Sequence, residues 1–116
     1  MTKYRSVFLL FFILMILPIT TTVKGHSPSS MDLSYSYEDQ ELEVTITHTV
    51  ASTSNHYVQE IIIYRNDVPI IEETYTEQEG SPSFTLYFDI TAVAGDMLAV
   101  YAACNIGGSL ESEIAV

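Results

Sequence analysis

Tryptophan is absent from this chain, and cysteine occurs once, as Cys104. One cysteine excludes a disulfide within the chain, which small secreted domains ordinarily rely on. Three readings of Cys104 stay open: a buried inert thiol, a bridge to another chain, or a metal-bound thiolate. Basic residues are scarce, with Lys and Arg together numbering 4 against 15 Asp and Glu. Such a surface repels phosphates, which excludes nucleic acid and anionic lipid as partners. No helical periodicity appears after Gly25. There is no phosphate loop, no carboxylate pair at motif spacing and no Ser-His-Asp constellation. Ser109 lies beside Gly107-Gly108 but lacks the strand-to-helix elbow of a nucleophile.

The one long apolar run lies at the start. Lys3 and Arg5 precede Val7 to Ile19, apolar apart from Pro18, and a polar patch of Thr20 to Gly25 follows. This is the layout of a secretory signal, with Val23 and Gly25 suited to a cut after Gly25. An uncleaved anchor over residues 7–23 is the alternative, at the short limit for a bilayer. The expected division is a signal peptide or anchor over 1–25 and one domain over 26–116. That domain is expected to be extracytoplasmic, secreted or held at the membrane through 7–23. It carries all 15 acidic residues and a single cation, Arg65, for a net charge of −14.

Val, Ile, Thr and Tyr dominate the domain, and alternation recurs between turn signals. Met31 to Tyr37 predicts a first strand, Leu42 to His48 a second and Tyr57 to Arg65 a third. Ile61-Ile62-Ile63 is apolar on both sides, which places the third strand centrally. Asn66-Asp67 is a hairpin turn. Val68 to Tyr75 predicts a fourth strand, at an edge because of Pro69. Phe84 to Ile90, Met97 to Cys104 and Leu110 to Val116 complete the set, the sixth expected to be buried. Seven short strands predict an all-β, immunoglobulin-like sandwich.

In such a sandwich the start of the first strand and the loops 2–3, 4–5 and 6–7 share one pole. His26, His48, His56 and Cys104 therefore fall at that pole, and they are all the histidines and the only cysteine of the chain. Imidazole and thiolate are good ligands for iron, copper and zinc. Three unrelated, solvated or core histidines are the plainer reading of the same residues.

The run His48…His56-Tyr57-Val58…Glu60-Ile61, with Cys104-Asn105-Ile106-Gly107-Gly108 near the C-terminus, resembles the iron domain of desulfoferrodoxin and neelaredoxin, the superoxide reductases. His26-Ser27-Pro28 resembles the family's early His-x-Pro segment. The resemblance spans the whole domain and implies an immunoglobulin-like sandwich. It implies that His26, His48 and His56 are equatorial ligands of a mononuclear non-haem iron, with Cys104 its axial thiolate. Superoxide would be the substrate, reduced to peroxide at an open coordination position by electrons from an unidentified donor. The family has a fourth histidine where Gly107 stands, proline where Thr49 follows His48, and Glu-Lys where Lys24-Gly25 stands.

Two further readings accompany this one. The first is a non-catalytic metal carrier or electron-transfer module on the same scaffold, holding iron or copper. Copper enters because cleavage after Gly25 would make His26 an N-terminal residue with a free amine. The second is a metal-free immunoglobulin-like adhesion domain with incidental histidines.

Overall fold

A computed structural model describes residues 26–116. The signal segment expected over residues 1–25, and its cut, lie outside the described residues. Seven strands form: β1 (Ser30–Ser36), β2 (Glu41–Thr47), β3 (Val58–Arg65), β4 (Val68–Thr74), β5 (Ser83–Asp89), β6 (Met97–Cys104) and β7 (Ser109–Ala115). No helix occurs among the described residues. The all-β expectation holds, and strand positions agree with the alternation to within a few residues.

Two antiparallel sheets face each other, one of order β1-β2-β5 and one of order β4-β3-β6-β7. The turn between β3 and β4 has a defined backbone geometry. Asn66 and Asp67 have φ of 52° and 68°. Positive φ at both central residues is the twist-matched hairpin geometry that Asn and Asp tolerate. β3 lies inside its sheet and β4 at the edge, as the isoleucine run and Pro69 predict. Pro69 opposes Tyr64, next to a register shift between Ile63 and Tyr64. A proline has no N–H for the ladder, so an edge bulge is where it does least harm.

Burial follows the period of two. Leu42, Val44 and Ile46 of β2, Ile61 and Ile63 of β3, and Leu98, Val100 and Ala102 of β6 are all wholly inaccessible. Each large side chain among them gains about 1.5–3 kcal/mol by leaving water. Phe84 and Phe88 of β5 and Met31 of β1 fill the remaining space between the sheets. The isoleucine run divides by face: Ile61 and Ile63 enter the core, and Ile62 is half-buried on the outer face. With no disulfide available, this apolar layer carries the fold.

At one end, the Tyr35 hydroxyl donates to Ile90 O at 2.6 Å and accepts from Ala92 N–H at 3.1 Å. It ties β1 to the β5–β6 connection. At the other end, backbone bonds interlace the segments expected to share a pole. Ser29 N–H donates to Thr47 O, His48 N–H to Pro82 O, Asn105 N–H to Tyr57 O and Cys104 N–H to Gly108 O. The histidine-bearing segments are thus fixed by main chain before any side chain is considered.

Candidate metal centre

His48 continues the inward alternation of Leu42, Val44 and Ile46, one residue beyond the end of β2. It is 1% exposed. A histidine at that depth needs a partner at each ring nitrogen. Nδ1 meets the Oε1 of Gln78 at 2.8 Å, and Nε2 lies 2.9 Å from His26 O and 3.3 Å from His26 Nδ1.

His56 arrives on a loop that folds on itself. Its N–H and that of Asn55 both donate to Ser52 O. Asn105 then brackets it: Oδ1 accepts from Tyr57 N–H at 2.9 Å, and Nδ2 donates to Asn55 O at 3.0 Å. The side chain following Cys104 therefore holds the backbone on both sides of His56.

His26 is brought in by glycines. Its N–H donates to Gly107 O at 2.9 Å. A β-carbon added to Gly108 would lie 2.7 Å from Ser27 N, closer than such atoms come. The approach of the 26–27 backbone therefore depends on glycine there. Gly107 has φ of 125°. That conformation strains any residue with a side chain, so the turn itself disfavours histidine at the place where the resemblance puts a fourth one.

The three rings converge. Centroid separations are 5.2 Å for His26–His48, 4.6 Å for His26–His56 and 4.9 Å for His48–His56. One ring nitrogen from each lies within 4.8 Å of the others. Two nitrogens bonded to one ion at about 2.0–2.1 Å are at most ~4.2 Å apart. Side-chain adjustments of under an ångström or so separate this cluster from a liganding set. The Nε2 of His56 is buried with no hydrogen-bond partner. An orphaned buried nitrogen beside two other imidazoles fits a metal ligand, because a cation would satisfy it without a proton. Burial, then the neighbouring His48 and His26, push the His56 imidazole below its ordinary 6.5. That shift favours the neutral imidazole, the form that binds a metal.

Cys104 is buried and free at the end of β6. Its sulfur accepts the Ile106 N–H at 3.5 Å, and its thiol points to Asn105 Oδ1 at 3.8 Å. The sulfur does not belong to the 4.8 Å histidine group. The structure thus gathers three of the four expected ligands, and the fourth stands apart at the end of β6. The copper alternative gains no support. The three-histidine cluster contains nothing specific to that metal. Asn105 is marked by its place beside Cys104 in the motif, whereas Gln78 carries no sequence signal of this kind. Gln78 sits between Glu77 and Glu79 in an irregular loop, and only its contacts single it out.

Fold and site together define a β-sandwich with a three-histidine cluster at one pole, able to hold a metal. No family model matches the chain, and no curated protein matches it either. Solved structures do. A hypothetical protein from Pyrococcus horikoshii OT3 is 18% identical, over 86% of this chain and 98% of that one, at a TM-score of 0.52. A superoxide reductase (neelaredoxin) from Ignicoccus hospitalis is 18% identical over 78% of this chain and 80% of that one, with a TM-score of 0.47. A superoxide reductase from Nanoarchaeum equitans is 17% identical over 84% and 97%, at 0.44. At these identities the likeness is one of fold, and the first of the three carries it.

Proposed function

We propose that this protein is a superoxide-reductase-like metal protein in which His26, His48 and His56 hold one mononuclear iron, with Cys104 as a thiolate ligand from the end of β6. The observation that carries the reading is the orphaned Nε2 of His56 within a cluster of three imidazoles. The motif resemblance of His56-Tyr57-Val58 and Cys104-Asn105-Ile106 supports it, as does the sandwich architecture. Ferrous iron, when bound, would supply one electron to superoxide, which takes up two protons and leaves as hydrogen peroxide.

The chain's own residues do the rest. His48, buried and hydrogen-bonded, is the rigid ligand. His26 is exposed, so the cluster opens to solvent on that side and a small anion can reach it. The Ile106 N–H directed at the Cys104 sulfur would stabilise a thiolate there. A second reading, metal holding without superoxide reduction, is favoured by Gly107 and by a domain charge that repels an anionic substrate. Secretion belongs to this proposal too, on the signal-like layout of residues 1–25.

Metal analysis after anaerobic loading with ferrous iron tests the site. One iron per chain is expected, and after oxidation to the ferric form a visible sulfur-to-iron charge-transfer band that disappears in Cys104→Ser. Loss of stoichiometric binding in His56→Ala is expected as well. Absence of stoichiometric iron in the unaltered protein would sink the reading. Stopped-flow decay of superoxide against the ferrous form separates the enzyme from the holder, because only the enzyme accelerates it.

A further inference from the structure

We infer that Gln78 is a positioning residue for the metal cluster: its side-chain amide locks His48 in the tautomer protonated at Nδ1, leaving the Nε2 lone pair directed at His26. The inference deepens the metal-site reading and rests on it for its purpose. The tautomer itself is a property of the metal-free chain.

Gln78 is 3% exposed and uses its whole hydrogen-bonding capacity. Nε2 donates to His48 O at 2.9 Å and to Gly80 O at 2.8 Å. Oε1 accepts from Val58 N–H at 3.3 Å and faces His48 Nδ1 at 2.8 Å. Two carbonyls on one side and an amide N–H on the other allow one orientation of the carboxamide. Flipping it would set oxygen against two carbonyl oxygens and NH₂ against an N–H donor. The atom facing His48 Nδ1 is therefore an acceptor, and Nδ1 must carry the proton.

The competing tautomer places the proton on Nε2, where His26 O at 2.9 Å could accept it. That arrangement leaves two lone pairs face to face at the buried Nδ1–Oε1 contact. The Nδ1–H form instead sets two lone pairs face to face at His48 Nε2 and His26 O, but His26 is exposed and water can serve that carbonyl. The cost of an unmatched pair is larger at the buried end, which selects the Nδ1–H form. His48 Nε2 can then accept from His26 Nδ1 at 3.3 Å without a metal. Such outer hydrogen bonds orient ligand imidazoles and set which nitrogen is free to bind. Gln78 also links the β4–β5 loop to both ends of the His48–His56 loop, since it holds His48 O and Val58 N–H together.

Long-range ¹H–¹⁵N correlation spectra of the metal-free protein at about pH 8.5, well above an ordinary imidazole pKa of ~6.5, read the tautomer directly. His48 is expected to show a protonated Nδ1 and an unprotonated Nε2. A protonated Nε2 in the unaltered protein overturns the inference, whether or not the protein binds iron. Two variants separate positioning from support of the loop. Gln78→Met and Gln78→Glu both lose the two donor bonds, but Gln78→Glu keeps an acceptor for Nδ1. Ferrous iron affinity is expected to fall about 10–100-fold in Gln78→Met and to be largely retained in Gln78→Glu. Equal losses in both variants overturn the positioning role. Failure of the unaltered protein to bind iron, with the Nδ1–H form present, would instead remove the metal-site reading and leave the tautomer lock standing.

Discussion

His56 is the proposed ligand whose proton affinity the fold lowers. Its imidazole sits below the ordinary 6.5 through burial first, and then through His48 and His26. The unfolded chain therefore binds a proton at His56 that the folded, metal-free chain refuses. Between the folded pKa and about 6.5 the unfolded state holds more protons, so stability rises with pH across that window. The contribution is intact above 6.5 and lost as pH falls through the folded value. An NMR titration of the metal-free protein should show the His56 midpoint below 6.5, and its denaturant midpoint should fall on acidification through that window. His56→Gln should weaken that dependence. A His56 midpoint at or above 6.5 would contradict the buried, crowded environment described for its ring.

The elements position the cluster through their ends. β2 delivers His48, the end of β6 delivers Cys104 with Asn105 on the turn beyond it, and Gly107-Gly108 accepts the 26–27 segment that precedes β1. Gly108 has φ of 90°, and a β-carbon there would meet Ser27 N and Oγ at 2.7 Å. Gly108→Ala should therefore cost about 1–2 kcal/mol for the left-handed conformation alone. It should also push the His26 segment off its turn. The expected outcome is a modest loss in thermal stability with a disproportionate loss of iron affinity, read by titration with ferrous iron. Equal affinity in the variant would show that His26 does not depend on this turn. The strands themselves were legible from alternation. β3 inside and β4 at the edge followed from Ile61-Ile62-Ile63 and Pro69, because apolar residues on both faces need cover on both sides, whereas proline needs a missing neighbour.

The molecule as a whole is an acidic sandwich held by one apolar layer. All 15 carboxylates and one guanidinium lie within residues 26–116. Arg65 donates to Thr91 O at 2.7 Å, so even that cation is spent partly on a backbone carbonyl. Self-repulsion among the carboxylates opposes the compact state and is screened by salt. Raising sodium chloride from about 10 mM to about 1 M, which shortens the screening length from ~30 Å to ~3 Å, should raise the melting temperature of the metal-free protein. A melting temperature that is flat or falling with salt would show that repulsion is not a material cost. The same field should slow association with superoxide at low ionic strength, if the iron form is active.

The polar loop from Thr49 to Asn55 and the loop around Gln78 show where reading along the chain stops. Strand periodicity placed His48 inward with Leu42, Val44 and Ile46, and sandwich topology put the three histidines and Cys104 at one pole. Both follow from local rules, since alternation needs only a sheet with one buried face. The pole is a wide address, however. That three imidazoles close to within 4.8 Å while the Cys104 sulfur stays outside the group is a matter of ångströms. Those ångströms are set by contacts between residues 20 to 50 positions apart, such as Gln78 with His48 and Asn105 with Asn55. Irregular loops have no period to reveal such partners, so their hydrogen bonds exist only once both sheets have packed and brought the loops to the same end.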